Sequence, residues 1–234
     1  MSKLTEKQKT ILIISIYSIV TIVLWQFEIG RLIFYPFTVL GTWFHEMGHG
    51  LMALFLGGSF HSLEIYSNGS GLAKTSGDLF LGSIGQGLVS LAGPIGPTIA
   101  GATFIACSKQ EKASKIALIV LSVLLIGSSL YWVRTWFGTP VILFFGLLAT
   151  FGAIKGSAKF QKNLILFLGV QACLSVYISI DYLMTKQFSR DGELMMSDTG
   201  NMELYMLLPH WFWGVLIVFI SVFAIWRSLK YTLK

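Results

Sequence analysis

The chain has 234 residues, of which 54% are hydrophobic and 12% charged, against about 25% charged in an ordinary soluble domain. With a mean hydropathy of +0.72, this excludes a water-soluble globular protein and leaves an integral membrane protein. The formal net charge of +6 does not mark a nucleic-acid binder, because the basic residues sit in short clusters beside apolar runs, the pattern that orients a membrane protein.

Seven apolar runs approach the ~20 residues that a helical span needs, at 10–27, 32–57, 79–106, 116–133, 135–154, 163–184 and 207–226. Backbone amides in hydrocarbon have no water to pair with, and no dyad-period alternation of the barrel type runs through these segments. The expected class is an all-α polytopic membrane protein with about six transmembrane helices, a re-entrant or broken segment and a small β-hairpin. No run of residues is long enough for a separate soluble core, so one membrane domain over 1–234 is expected.

The first run follows Lys3, Lys7 and Lys9 without a small-residue cleavage site, and Trp25-Gln26-Phe27-Glu28 reads as the interfacial end of a retained anchor. In the second run, Glu46 is the one charged side chain between Leu32 and Leu56. It belongs to Phe44-His45-Glu46-Met47-Gly48-His49-Gly50. On a helix His45 and His49 lie one turn apart on one face, so both rings can reach one Zn²⁺. Glu46 sits beside that face, where its carboxylate can accept a proton from a water acidified by the metal. Ionisable groups inside a span are costly, which argues against three packing residues.

After this run, His61 to Tyr66 and Leu72 to Thr75 flank Ser67-Asn68-Gly69-Ser70-Gly71, which predicts a β-hairpin with an Asn-Gly turn. Its open edge could pair with an extended substrate. The third run contains Leu91-Ala92-Gly93-Pro94-Ile95-Gly96-Pro97, whose prolines and glycines predict a kink or break. Cys107 and Cys173 lack metal or redox spacing and read as packing residues.

Four basic clusters, Lys3/Lys7/Lys9, Lys109/Lys112/Lys115, Lys155/Lys159/Lys162 and Arg227/Lys230/Lys234, should share the cytoplasmic side. Two runs separate each of the last three from the next, but three runs separate the first two. One of those three should therefore not cross fully, and the third run, with its two prolines, is the candidate.

A catalytic zinc normally takes three protein ligands and keeps one open position. The third ligand expected here is Asp181, the only other acidic residue within an apolar run, although an interfacial Asp exposed to headgroups or paired with Lys186 fits the same place. Asp198 is the reserve, and His61, Asp78 and His210 are weaker because each lies at a run boundary.

These residues resemble the site-2 protease class of intramembrane zinc metalloproteases, most closely its small bacterial M50B-like subgroup. Phe44 to Leu51 is similar to the family's FHExGHxL helix, Gly57-Gly58 and Ser70 to Thr75 to the stretch after it, and Leu91-Ala92-Gly93-Pro94 to its AGP segment. Asp181 and Ser197-Asp198 fall where that subgroup carries acidic residues. The chain departs from the better-known members in having Tyr182 rather than Gly after Asp181, and Gly96-Pro97 without an Asn after Gly93-Pro94.

The resemblance implies a Zn²⁺-dependent endopeptidase of the bacterial cytoplasmic membrane that cleaves in or near the transmembrane segment of a single-span membrane-protein substrate. His45, His49 and Asp181 would hold the metal and Glu46 would act as the base. The alternative is a non-proteolytic metal-binding scaffold or divalent-metal carrier, which needs the ligands and has no need of Glu46.

Overall fold

A computed structural model of the chain describes residues 4–190 and 192–234; Lys3 of the first basic cluster lies outside them. Helix α1 (Glu6–Trp25) opens on a reciprocal capping box between Thr5 and Gln8. After Gln26 and Phe27 the chain enters α2 (Glu28–Phe55), the longest helix described. Its faces differ: Val39, Leu40, Trp43 and Met47 point into the main core, and Trp43, 1% exposed, donates Nε1–H to Ser128 Oγ at 2.9 Å.

The expected hairpin forms, as β1 (Ser59–Ile65) and β2 (Gly71–Ser76), antiparallel with Leu63 opposite Ala73 and Ile65 opposite Gly71. Gly69 takes φ +86° in the turn, a conformation that glycine adopts without a Cβ clash. One face of the hairpin is buried, with Leu63 and Ile65 at 0% exposure, while Ser59, His61 and Lys74 are exposed. The second edge of β1 is satisfied by residues 132–134: Leu63 N–H donates to Trp132 O at 2.8 Å and Arg134 N–H to Leu63 O at 3.0 Å. A register shift between Phe60 and Ser62 coincides with an exposed His61.

The third run is not broken. It forms one continuous helix, α3 (Ser83–Cys107), with Pro94 and Pro97 inside it and both buried. The glycines around them serve contact rather than interruption. A Cβ on Gly96 would lie 2.6 Å from Phe44 O, and one on Gly48 would lie 2.3 Å from Ala92 O. Helices α2 and α3 therefore meet backbone to backbone, the close approach that small residues permit in membranes.

Helices α4 (Glu111–Tyr131) and α5 (Gly138–Lys155) form an antiparallel pair, tied where Ser122 Oγ–H donates to Gly146 O at 3.1 Å. Helix α6 (Ala158–Ile178) holds α1 through Gln171 Nε2–H donating to Thr21 Oγ1 at 2.7 Å. A short helix α7 (Ile180–Leu183), a second hairpin of β3 (Gln187–Arg190) and β4 (Glu193–Met196), α8 (Asp198–Met206) and α9 (His210–Thr232) complete the chain.

Six described helices are long and apolar enough to cross a membrane: α1, α3, α4, α5, α6 and α9. The fold is thus all-α and polytopic as expected, but the long helix outside that set is α2. Its His45, Glu46 and His49 dilute the apolar run. The basic clusters converge on one end of the bundle. The α4–α5 pair carries Lys112 and Lys155 to the same end, and Lys109 Nζ donates to Tyr231 O at 2.9 Å beside Lys230.

Because nothing lies within 4 Å of a Cβ at Gly127 in α4, Gly127→Ala should be neutral or slightly stabilising, whereas Gly48→Val should force α2 from α3. We expect Gly48→Val to cost about 1–3 kcal/mol, read as a lowered melting temperature in detergent. Unchanged melting for Gly48→Val would contradict the close contact.

Candidate metal centre

Spacing along α2 carries His45 and His49 to one face, with ring centroids 4.8 Å apart. The third group comes from the far end of the chain. Asp198 is the first residue of α8, and Ser197 caps that helix by accepting the Gly200 N–H at 3.0 Å. Ser197 also donates its hydroxyl to Thr185 O at 2.5 Å and its backbone N–H to Lys186 O at 3.0 Å, which anchors the start of α8 to the segment after α7.

With α8 so placed, Asp198 Oδ2 lies 2.9 Å from His45 Nε2 and Oδ1 lies 3.2 Å from His49 Nε2. One ligand atom from each of the three residues falls within 4.8 Å of the others, a group that could hold a metal ion. His49 Nδ1 lies 2.7 Å from Val89 O, and a carbonyl can only accept, so Nδ1 carries the proton and Nε2 faces Asp198. A bare Nε2 and a carboxylate oxygen at that separation repel unless a cation or proton lies between them.

Glu46 is 7% exposed and lies beside this group. Gly71, at the start of β2, lets the hairpin approach it: a Cβ there would stand 2.6 Å from Glu46 Cγ. A cavity of about 490 Å³ opens from His45 and Glu46 and is lined by α2, the turn of the first hairpin, α6 and Phe188 of the second. Gly93 leaves room for the His49 ring, since a Cβ would fall 2.2 Å from Nε2.

For the third position the structure brings Asp198, not Asp181, to the two imidazoles. Asp181 is exposed and stands outside the group; Asp198 occupies the place beside both imidazoles. Asp181 escapes the cost of a carboxylate in hydrocarbon because α6 stops at Ile178 and the α7 turn leaves it at the surface. His61 pairs with Ser76, Asp78 is exposed and His210 faces Glu203, so none of these joins the group.

Sequence reasoning missed Tyr182, whose hydroxyl contacts Asp198, and Val89, whose carbonyl orients His49. Neither has a sequence signal, because a backbone carbonyl has none and an aromatic in an apolar run reads as packing.

A second polar cluster braces α8 from outside. Glu203 accepts from Lys186 Nζ at 2.5 Å and from the His210 N–H at 2.7 Å, with His210 Nδ1 at 3.0 Å. The hydrogen bond from Lys186, followed by those from His210, holds the Glu203 carboxyl down to about 2.

The model of the Peptidase M50B-like family matches residues 13–228 of this chain. No curated protein and no solved structure matches it.

The folded-state carboxyl of Glu203 lies below its ordinary 4.5, so its contribution to stability is present above that value and is lost as pH falls towards about 2. The melting temperature of the wild type should therefore exceed that of Glu203→Gln by a constant margin from about pH 7 down to the ordinary carboxylate range, and by a shrinking margin below it. A margin independent of pH would contradict the brace.

Proposed function

The chain belongs to the Peptidase M50B-like family, and on that premise we propose that it is an intramembrane zinc endopeptidase hydrolysing a peptide bond in or near a transmembrane segment of another membrane protein. The observation that carries the reading is the convergence of His45, His49 and Asp198 beside the buried Glu46, at the wall of a cavity inside an apolar bundle.

The donor set fits zinc. Two imidazole nitrogens and one carboxylate are ligands that zinc takes, and three of them leave the fourth position that distinguishes a catalytic site from a closed structural one. The Val89 carbonyl on His49 Nδ1 is the outer partner expected of a ligating histidine. His45, His49 and Asp198 would hold zinc there, and it would supply Lewis acidity to a peptide carbonyl and lower the pKa of a water towards roughly 7.

The residues of the chain do the rest. Glu46 accepts the proton that the attacking water gives up and delivers it to the leaving amine nitrogen as the C–N bond breaks. β2 has β1 on one side and no described strand on the other, so an extended substrate segment can add to the sheet there and lie along the cavity wall. A span must unwind locally to be read in this way. The polar groups of Thr42, Ser70 and Ser175 in the same cavity supply a setting in which unwound backbone is tolerated.

The protein acts as a single membrane-embedded unit in a bacterial cytoplasmic membrane, on a single-span substrate. A scaffold or metal carrier would need the three ligands alone. The buried Glu46, a carboxylate that is not one of the three, favours the enzyme, because proton transfer is what accounts for its cost.

Detergent-purified protein should carry about one zinc per chain, sharply reduced in His45→Ala, His49→Ala and Asp198→Asn and retained in Asp181→Asn. Equal zinc in wild type and all four variants would end the metal reading. Glu46→Gln should keep its zinc and lose cleavage of a transmembrane substrate by roughly 100-fold or more; full activity in that variant would assign the base elsewhere.

A further inference from the structure

We infer that Tyr182 is a positioning residue of the metal centre, its hydroxyl fixing the orientation in which Asp198 presents its carboxylate to the two imidazoles. The inference rests on the zinc reading above. The Tyr182 hydroxyl donates to Asp198 Oδ2 at 3.3 Å and accepts the Asp198 backbone N–H at 3.2 Å. That same Oδ2 is the oxygen 2.9 Å from His45 Nε2. One phenol therefore grips both the side chain and the backbone of the residue that closes the site, using its single proton on the carboxylate and a lone pair on the amide.

This grip has a physical use. The terminal torsion of an Asp side chain is broad and nearly two-fold, so nothing within the residue selects which oxygen faces which imidazole. The Asp198 N–H is also one of the donors at a helix start that have no partner inside the helix. Tyr182 answers both needs because its ring is held on two sides, edge-on to His45 at 6.4 Å and to Phe188 at 5.4 Å. It stands on α7, whose continuation holds Ser197 through the Thr185 and Lys186 carbonyls, so phenol and carboxylate share one rigid support. Replacing such an outer partner of a metal ligand typically weakens metal binding by roughly 10–100-fold.

The test is the zinc dissociation constant of the detergent-purified full chain, measured by chelator competition, together with the visible spectrum of the cobalt(II)-loaded protein. Tyr182→Phe keeps the ring and its packing and removes the hydroxyl. It should bind zinc roughly 10-fold or more weakly and shift the cobalt bands. Tyr182→Met, which removes the hydroxyl with the ring, should lose at least as much, and it carries the test if Tyr182→Phe misfolds. Phe188→Leu loosens the ring's packing but leaves the hydroxyl, and should lose less than either. Wild-type zinc affinity and an unchanged cobalt spectrum in Tyr182→Phe, with zinc lost in His45→Ala, would overturn the role of Tyr182 and leave the zinc reading standing. Equal losses in Phe188→Leu and Tyr182→Phe would assign the effect to packing and overturn it too. A wild type without zinc would overturn both readings.

Discussion

The costliest feature of this molecule is the meeting of two imidazoles and two carboxylates inside an apolar bundle. His45 and His49 stand within 2.9–3.2 Å of Asp198, and Glu46 beside them is 7% exposed. Unpaired charges in such surroundings cost several kcal/mol each, and a buried pair is stable only with good geometry and further hydrogen bonds. Much of the remaining architecture supplies that geometry. The Val89 carbonyl fixes the proton on one imidazole, Tyr182 holds the carboxylate, and the cap at Ser197 holds the helix that carries it.

Space for the group comes from glycine. Helix α2 must face the core with Trp43 and the cavity with His45, and it can do both only if its remaining sides are packed at backbone distance. Gly48 and Gly96 allow this against α3, Gly93 leaves room for the His49 ring, and Gly50 accepts the ring of Phe60, where a Cβ would fall 2.3 Å from the nearest ring carbon. Phe60 in turn stacks on Trp132 at 4.9 Å, and the 132–134 segment hydrogen-bonds β1. The hairpin is thereby sealed on one edge by its own chain, while its other strand runs past Glu46.

The third acidic group depends on contacts made far from it. Asp198 reaches the histidines because α8 is tied to α7 through Thr185 and Lys186, and to α9 through the Glu203–His210 contacts. The Lys186–Glu203 ion pair is solvent-exposed and weak as a source of global stability. Its position gives it local weight, since a small displacement of α8 would carry the Asp198 carboxylate out of reach of both rings.

Features set by chain-local periodicity were legible from the residues alone. The i, i+4 spacing of His45 and His49 defines a common face wherever a helix forms, runs of about 20 apolar residues mark the candidate spans, and the Asn68-Gly69 turn marks its hairpin. The tertiary structure decided the rest. Gly93 and Gly96 beside Pro94 and Pro97 read as a kink or break, and only the approach of α2 shows that they make room within a continuous helix. Asp181 lies near the end of the sixth apolar run and Asp198 in the stretch before the last, and which of them meets the histidines depends on where α6 stops and how α8 is braced. Spacing along a chain determines what one helix presents on one face; which distant residue completes a site is determined by how helices pack on one another, and no local pattern encodes that.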